Sequence, residues 1–205
     1  MKRFAAAKRR LAGGIDNAKR EALVAAMLED VLEAIGGCRS IERTIVVSDE
    51  PRAAESAARA GAELLQDPAG GGHSDAALAG IARAEEHGAE CVVLLPGDCP
   101  LLDPRELDRL LTGVPANYVA VVPDRHGTGT NALVLAPPRA IRPAFGEDSR
   151  ARHVAAAREA GIPFAIEELA GIALDLDTPA DVVALTLELE ARPRRARRTA
   201  RALGI

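Results

Sequence analysis

The sequence predicts an α/β protein. Short apolar runs of strand type, such as VVLL at 92–95, alternate along the chain with segments whose apolar residues recur at helical spacing. Gly, Pro and Asp separate these segments, as is typical where a strand ends and a helix begins. The length of 205 residues suits one sizeable core better than two. Because strands that alternate with helices imply right-handed βαβ crossovers, we expect a Rossmann-like three-layer α/β/α sandwich with a mostly parallel sheet.

The first half of the chain begins its regular pattern with a helix. Asp16 can cap this helix, whose apolar residues recur at helical spacing as far as about Ile35, where Gly36 and Gly37 end it. The segments that follow are predicted as a strand in RTIVVSDE (43–50), a helix in PRAAESAARAG (51–61), a strand in AELLQD (62–67), a Gly-rich loop at 70–72, a helix from about Ser74 to His87 and a strand in ECVVLLPGD (90–98).

The second half continues the alternation. Its predicted elements are a helix from Asp103, strands in NYVAVVPD (117–124) and NALVLAPP (131–138), a helix from Ser149 to Ala160, strands in PFAIEEL (163–169) and IALDLD (172–177), and a helix from Pro179. We place one domain at 1–191. We interpret 192–205 as a basic tail that is either a solvated or frayed helix or an anion-binding segment.

The start of the chain departs from this pattern. Doubly wound sheets usually begin with a central strand, whereas this chain opens on the basic segment MKRFAAAKRRLAGG. We therefore expect that the first strand of the sheet is missing before Met1 and that its neighbours flank a gap.

The composition excludes several classes of protein. The formal net charge of −4 argues against a protein that coats nucleic acid. The cysteines Cys38, Cys91 and Cys99 show no CxxC spacing, so they indicate a reducing compartment and give no zinc signature. The sequence shows no signal peptide and no apolar run of membrane-spanning length. We expect a cytoplasmic protein that binds neither nucleic acid nor membrane, and we leave open whether it forms a homodimer.

Carboxylates stand at two predicted strand ends, where open α/β sheets bind their ligands. Asp98 follows one apolar strand, and Asp175 and Asp177 share one face of another because residues i and i+2 of a strand point the same way. Thr178 and Asp103 can cap the helices that follow, so the three carboxylates are not needed for capping. Any one of them alone reads as a turn residue. The three together favour Mg²⁺, which prefers hard oxygen ligands.

Other segments could bind an anion. Lys2 and Lys8 lie in a cationic run that could neutralise a triphosphate or form a solvated helix. Gly72 and Asp75 lie where a Gly-rich loop meets a helix amino terminus, a generic cradle for a base or a phosphate. Another group could offer hydroxyl or backbone donors, or could be turn and cap residues: Thr130, Gly146 and Ser149. We interpret His153 as a residue on a helix surface.

Five of these segments together resemble one family. KRFAAAKRRL, LLPGDCPLL, DRHGTGTNAL, FGEDSRARH and LDLDTPAD occur in the order seen in the guanylyltransferases of deazaflavin coenzyme F-420 biosynthesis, which act on 2-phospho-L-lactate or phosphoenolpyruvate. The resemblance covers nearly the whole chain. It implies a fold of the nucleotidyltransferase type and the transfer of GMP from GTP to a phosphorylated three-carbon acid, with release of pyrophosphate.

The resemblance also implies roles for individual residues. Asp98, Asp175 and Asp177 would hold Mg²⁺, and Lys2 and Lys8 would face the phosphates of GTP. The phosphate and carboxylate of the acid would be bound by Thr130, Gly146 and Ser149.

Asp75 stands where relatives commonly have Asn, and its carboxylate could accept from N1 and N2 of guanine. Two alternatives stay open at this stage: a non-catalytic nucleotide-binding protein, and a nucleotidyltransferase for another phosphorylated acceptor.

Overall fold

The computed structural model describes residues 17–68, 72–192 and 194–205. The helices are α1 (Asn17–Gly36), α2 (Pro51–Arg59), α3 (His73–Glu86), α4 (Pro104–Leu111), α5 (Ser149–Glu159), α6 (Ala170–Ala173), α7 (Pro179–Ala191) and α8 (Arg197–Leu203). The strands are β1 (Ile45–Val47), β2 (Glu63–Leu65), β3 (Val92–Leu94), β4 (Tyr118–Pro123), β5 (Thr130–Ala136) and β6 (Phe164–Ile166). The predicted elements from the first helix to PFAIEEL are thus confirmed, while the proposed cap Asp16 lies outside the described residues.

The strands form two sheets. β1 pairs with β2 in parallel, and the other sheet has the order β3-β5-β4-β6. In this larger sheet β4 and β6 are parallel, whereas β5 runs antiparallel to both β3 and β4. Three of its four strands therefore share one direction, in agreement with the mostly parallel sheet that the sequence predicts. In the described part of the chain no ladder joins the two sheets, and the first strand that we expect before Met1 stays a prediction.

Two segments depart from a simple alternation of strand and helix, and one of them, IALDLD, contradicts its predicted element. NYVAVVPD and NALVLAPP, predicted as two successive strands, form an antiparallel hairpin, because residues 124–129 are far fewer than the dozen or so that a crossover needs. IALDLD is not a strand. It begins in the one-turn helix α6 and continues as extended backbone without ladder partners among the described residues.

Helices cover both faces of the larger sheet. Val119 and Val121 of β4 belong to an apolar cluster with α3 and α5, whereas Val122 belongs to a second cluster with α1, α4 and α6. This alternation follows from the two-residue period of a strand. It produces the three layers, and it leaves the ends of the strands for polar side chains.

The basic C-terminal segment is a packed helix and not a solvated or frayed one. The buried carboxylate of Asp30 in α1 accepts hydrogen bonds from the backbone N–H of Thr199 at 2.8 Å and from its hydroxyl at 2.7 Å. Arg198 forms ion pairs with Glu29, Asp30 and Glu33 of the same helix. These contacts attach α8 to α1, although the division of the domain at residue 191 stays a prediction.

None of the helices in the described ranges is both long enough and apolar enough to cross a membrane.

Candidate active site

The three carboxylates predicted from the sequence lie at one edge of the larger sheet, which we call the acidic edge (Asp98, Asp175 and Asp177). The backbone N–H of Leu176 donates to the backbone carbonyl of Asp98 at 3.4 Å, which places the two segments side by side. Along residues 174–177 the leucines are buried and the aspartates are partly exposed. Both aspartates therefore project from the face opposite the leucines, as extended backbone requires.

Asn131, which sequence reasoning left without a role, holds one of these carboxylates. It is a buried residue of β5, and its Nδ2 donates to the carbonyl of Ile172 at 2.9 Å and to Oδ1 of Asp175 at 3.4 Å. An amide has two N–H donors, so one side chain can bind both groups. The sequence signal was a polar residue at the start of a strand that is otherwise apolar.

The charges of the acidic edge repel one another. Burial raises the pKa of Asp175, and the negative charges of Asp98 and Asp177 raise it further. Within the described ranges, no three His, Cys, Asp or Glu side chains form a preformed metal cluster. The donor set nevertheless fits a hard divalent cation by its chemistry, because such an ion takes carboxylate oxygens and would offset the repulsion.

Asp181 organises the turn that follows the acidic edge. One of its oxygens accepts from the backbone N–H groups of Asp177 at 2.9 Å and Thr178 at 2.6 Å, and from the Thr178 hydroxyl at 2.8 Å. Its other oxygen lies 2.5 Å from Nη2 of Arg125. Thr178 caps α7 and Asp103 caps α4, as predicted. The three carboxylates of the acidic edge are therefore not needed as helix caps.

A second group of residues, the Thr130 cluster (Thr130, Gly146, Ser149 and His153), lies at the starts of β5 and α5 and includes one imidazole ring. His153 lies in α5 but is fully buried, so its interpretation as a surface residue is wrong. Its Nδ1 lies 3.0 Å from the Thr130 hydroxyl, and its Nε2 accepts from the backbone N–H of Ala144 at 2.8 Å. The alternation of apolar and charged residues in α5 gave no sign that this position faces inward.

The loop before α5 brings Gly146 and Ser149 to this cluster. Ser149 is buried at the first position of α5, and its backbone N–H donates to the carbonyl of Gly146 at 3.1 Å. Gly146 has a φ of 115°, which residues with a side chain rarely adopt. A Cβ there would also lie 3.4 Å from the Arg152 guanidinium. The backbone geometry therefore requires glycine at this position.

The predicted nucleotide cradle is connected to the Thr130 cluster. Gly72 precedes α3, and its backbone N–H donates to the carboxylate of Asp75 at 3.3 Å, so Asp75 has a capping role. The hydroxyl of the adjacent residue, Ser74, accepts a hydrogen bond from the backbone N–H of Phe145 at 2.9 Å. This bond ties the amino terminus of α3 to the loop that carries Gly146. Lys2 and Lys8 lie outside the described residues.

The buried imidazole predicts a pH dependence of stability. Burial, with a smaller effect from Arg152, lowers the pKa of His153 from 6.5 to about 4. Because the unfolded chain takes up this proton near pH 6.5 and the folded chain does not, stability is full above pH 6.5 and falls as the pH drops towards 4. The loss is at most about 1.4 kcal/mol per pH unit.

Urea unfolding at pH 7 and pH 5 measures this dependence, and His153→Gln is the control because it removes the titrating ring. We expect a smaller loss between the two pH values in the variant. Equal losses in both proteins would contradict a buried neutral His153.

Comparisons with known proteins identify relatives. The sequence model of the family described as "Guanylyl transferase CofC like" matches residues 1–205. Phosphoenolpyruvate guanylyltransferase of Conexibacter woesei is 47% identical over 188 residues, which are 90% of this chain and 84% of that protein. The enzyme of the same name from Sphaerobacter thermophilus is 40% identical over 182 residues, covering 89% of this chain and 87% of that protein.

A solved structure supports the fold. A protein described as a nucleotide-diphospho-sugar transferase from Desulfovibrio desulfuricans G20 superimposes with a TM-score of 0.75, covering 98% of this chain and 90% of its own at 17% identity. At that identity the likeness concerns the fold alone. The family match over the whole chain and the two relatives agree with each other, and the chain belongs to the CofC-like guanylyl transferase family.

Proposed function

We propose that this protein transfers GMP from GTP to phosphoenolpyruvate and releases pyrophosphate. The relatives named for that activity support the choice of substrates. The observation that carries the proposal is the position of two neighbouring residues at the start of β5: Thr130 contacts the ring of His153, and Asn131 contacts Asp175 of the acidic edge. Consecutive residues of a strand point to opposite faces of the sheet, so a site for an anionic acid and a site for a phosphate-bound cation would lie at the same end of β5, one on each face.

The reaction needs no protein nucleophile. A phosphate oxygen of the acid attacks the α-phosphorus of GTP in line, the new P–O bond forms, and the bond to the β-phosphate breaks as pyrophosphate leaves. The task of the protein is to hold both substrates in that geometry and to stabilise the charge that develops on the phosphate oxygens.

Individual residues supply these functions in our proposal. Lys2 and Lys8 face the phosphates of GTP, while the amino terminus of α3, with Gly72 and Asp75, receives the base. The acidic edge would hold Mg²⁺, whose charge offsets that of the phosphates when it is bound. The Thr130 hydroxyl donates to the acid, with Gly146 and Ser149 beside it.

Removing the Thr130 hydroxyl tests the acid site. In Thr130→Val we expect the KM for phosphoenolpyruvate to rise about 10-fold or more, because a hydrogen bond to a charged group contributes about 1.5 to 3 kcal/mol. The KM for GTP should change little. Ser149→Ala is expected to act in the same direction.

Steady-state kinetics with each substrate varied in turn measure both constants. Thr112→Val, at the far end of α4, is the matched control, since its hydroxyl donates to the carbonyl of Asp108 in its own helix. If Thr130→Val raises both KM values equally, Thr130 does not belong to the acid site.

The identity of the acid needs a separate comparison. Phosphoenolpyruvate, 2-phospho-L-lactate and 3-phosphoglycerate differ by a few atoms at C2 and C3, so we expect measurable but unequal turnover with phosphoenolpyruvate the preferred acceptor. The cytoplasmic location stays a prediction, and the formation of a homodimer stays open.

A further inference from the structure

The ring of His153 has a contact on each side. It is fully buried in α5, with Nδ1 3.0 Å from the Thr130 hydroxyl and Nε2 2.8 Å from the backbone nitrogen of Ala144. Phe145 packs edge-on against the ring, with 5.2 Å between the ring centroids. The imidazole therefore connects the start of β5 to the loop at 144–146.

The chemistry of these contacts fixes where the ring hydrogen lies. A backbone N–H can only donate, so Nε2 must accept from Ala144 with its lone pair. A neutral imidazole then carries its hydrogen on Nδ1, and burial lowers the pKa of His153 to about 4, so the ring is neutral at pH 7. The Nδ1–H group consequently donates to the Thr130 oxygen.

The direction of this bond decides what the Thr130 hydroxyl can do. Because the oxygen accepts from His153, the hydroxyl's own hydrogen remains available for another acceptor. Thr130 is partly exposed, unlike the ring behind it. An acceptor group on the exposed side of Thr130 would therefore receive a hydrogen bond from a hydroxyl whose orientation His153 has already fixed.

We propose that His153 is a positioning residue, which orients the Thr130 hydroxyl as a donor toward the phosphate or carboxylate of the acid substrate. Through its hydrogen bond with the backbone of Ala144, the same ring also holds the loop that carries Gly146 beside Thr130. This inference rests on the proposed function, because it concerns the acid site of that reaction. It assigns no direct contact between His153 and the substrate.

Two substitutions separate the two bonds of the ring. The side-chain oxygen of His153→Gln can still accept from Ala144, but the donor to Thr130 is lost. The amide N–H of His153→Asn can still reach Thr130, but the acceptor for Ala144 is lost. We expect His153→Gln to raise the KM for phosphoenolpyruvate about 10-fold with little change in kcat or in the KM for GTP, and His153→Asn to raise it less.

Combining the changes gives a sharper test. In the Thr130→Val background, His153→Gln should raise the KM for the acid no further, because the hydroxyl that the ring orients is already gone. A purely structural His153 would instead lower thermal stability in both variants, and its effect would add to that of Thr130→Val. Additive effects on the KM would overturn the proposal.

A measurement without turnover keeps this proposal separate from the proposed function. Imidazole ¹⁵N chemical shifts of His153 should show the neutral Nδ1–H tautomer at pH 7, and an Nε2–H tautomer would overturn the positioning role. Failure of the unaltered protein to make product from GTP and any of the three acids would overturn the proposed function. Calorimetric binding of phosphoenolpyruvate then decides the positioning role. That role requires Thr130→Val, His153→Gln and the double variant to weaken binding by the same factor.

Discussion

Replacing Asp98 or Asp177 by Asn is expected to slow guanylyl transfer by at least about 100-fold, because each change removes a carboxylate proposed to bind the catalytic cation. Asn keeps the size of the side chain and one oxygen, so the shape of the acidic edge is conserved. The loss should appear in the rate at saturating GTP and phosphoenolpyruvate, measured by pyrophosphate release over a range of Mg²⁺ concentrations.

The stability of the same variants distinguishes catalysis from folding. The like charges of Asp98 and Asp177 raise the pKa of Asp175, so removing either charge should leave the thermal midpoint unchanged or higher in Mg²⁺-free buffer. Glu55→Gln on the exposed face of α2 is the control for the loss of one negative charge. Near-normal turnover in Asp98→Asn or Asp177→Asn would refute the assignment of a metal to this edge.

Asp181→Ala is expected to cost about 1.5 to 3 kcal/mol of stability, since it removes a buried carboxylate that accepts several hydrogen bonds. Asp181 is 4% exposed and accepts hydrogen bonds from the backbone of Asp177 and Thr178 as well as the charge of Arg125. The backbone that carries Asp177 would lose its anchor, so we also expect slower transfer in the fraction of molecules that remain folded. Urea unfolding and initial rates measure the two effects.

Asp75→Ala is the matched control for stability. Asp75 occupies the same third position of its helix as Asp181 but is exposed and accepts one long bond of 3.3 Å, so its loss should cost about 1 kcal/mol. Equal costs for the two variants would show that Asp181 is an ordinary helix cap and does not organise the turn.

The elements that the sequence predicts correctly are those defined by local chemistry. α4 is an example, because Asp103 and Pro104 begin the helix and its cap bond spans two residues. Both strands of the β4–β5 hairpin were predicted, whereas their antiparallel pairing was not specified. IALDLD was wrongly predicted as a strand because an alternating pattern describes extended backbone and does not supply a neighbour for its hydrogen bonds.

The residues of the candidate site also fall into two groups: those that the sequence predicts and those that it does not. The aspartates of the acidic edge could be expected to lie together, because Asp98 follows β3 and because Asp175 and Asp177 share one side of an extended segment. Asn131 and His153 could not, since each acts through a partner distant in the sequence: Asn131 and Asp175 are 44 positions apart, and His153 and Thr130 are 23 apart. Only the packing of β5 against α5 and the acidic edge brings these pairs together.

The mass of the reaction product tests the central claim most directly. The purified protein is incubated with GTP, Mg²⁺ and phosphoenolpyruvate, with parallel reactions that lack the acid or contain Asp98→Asn in place of the unaltered protein. We predict a product whose mass equals GMP joined to phosphoenolpyruvate with loss of water, formed in equal amount with pyrophosphate, absent without the acid and formed at least about 100-fold more slowly by Asp98→Asn. Pyrophosphate without that product, or no consumption of GTP with any of the three acids, would contradict the claim.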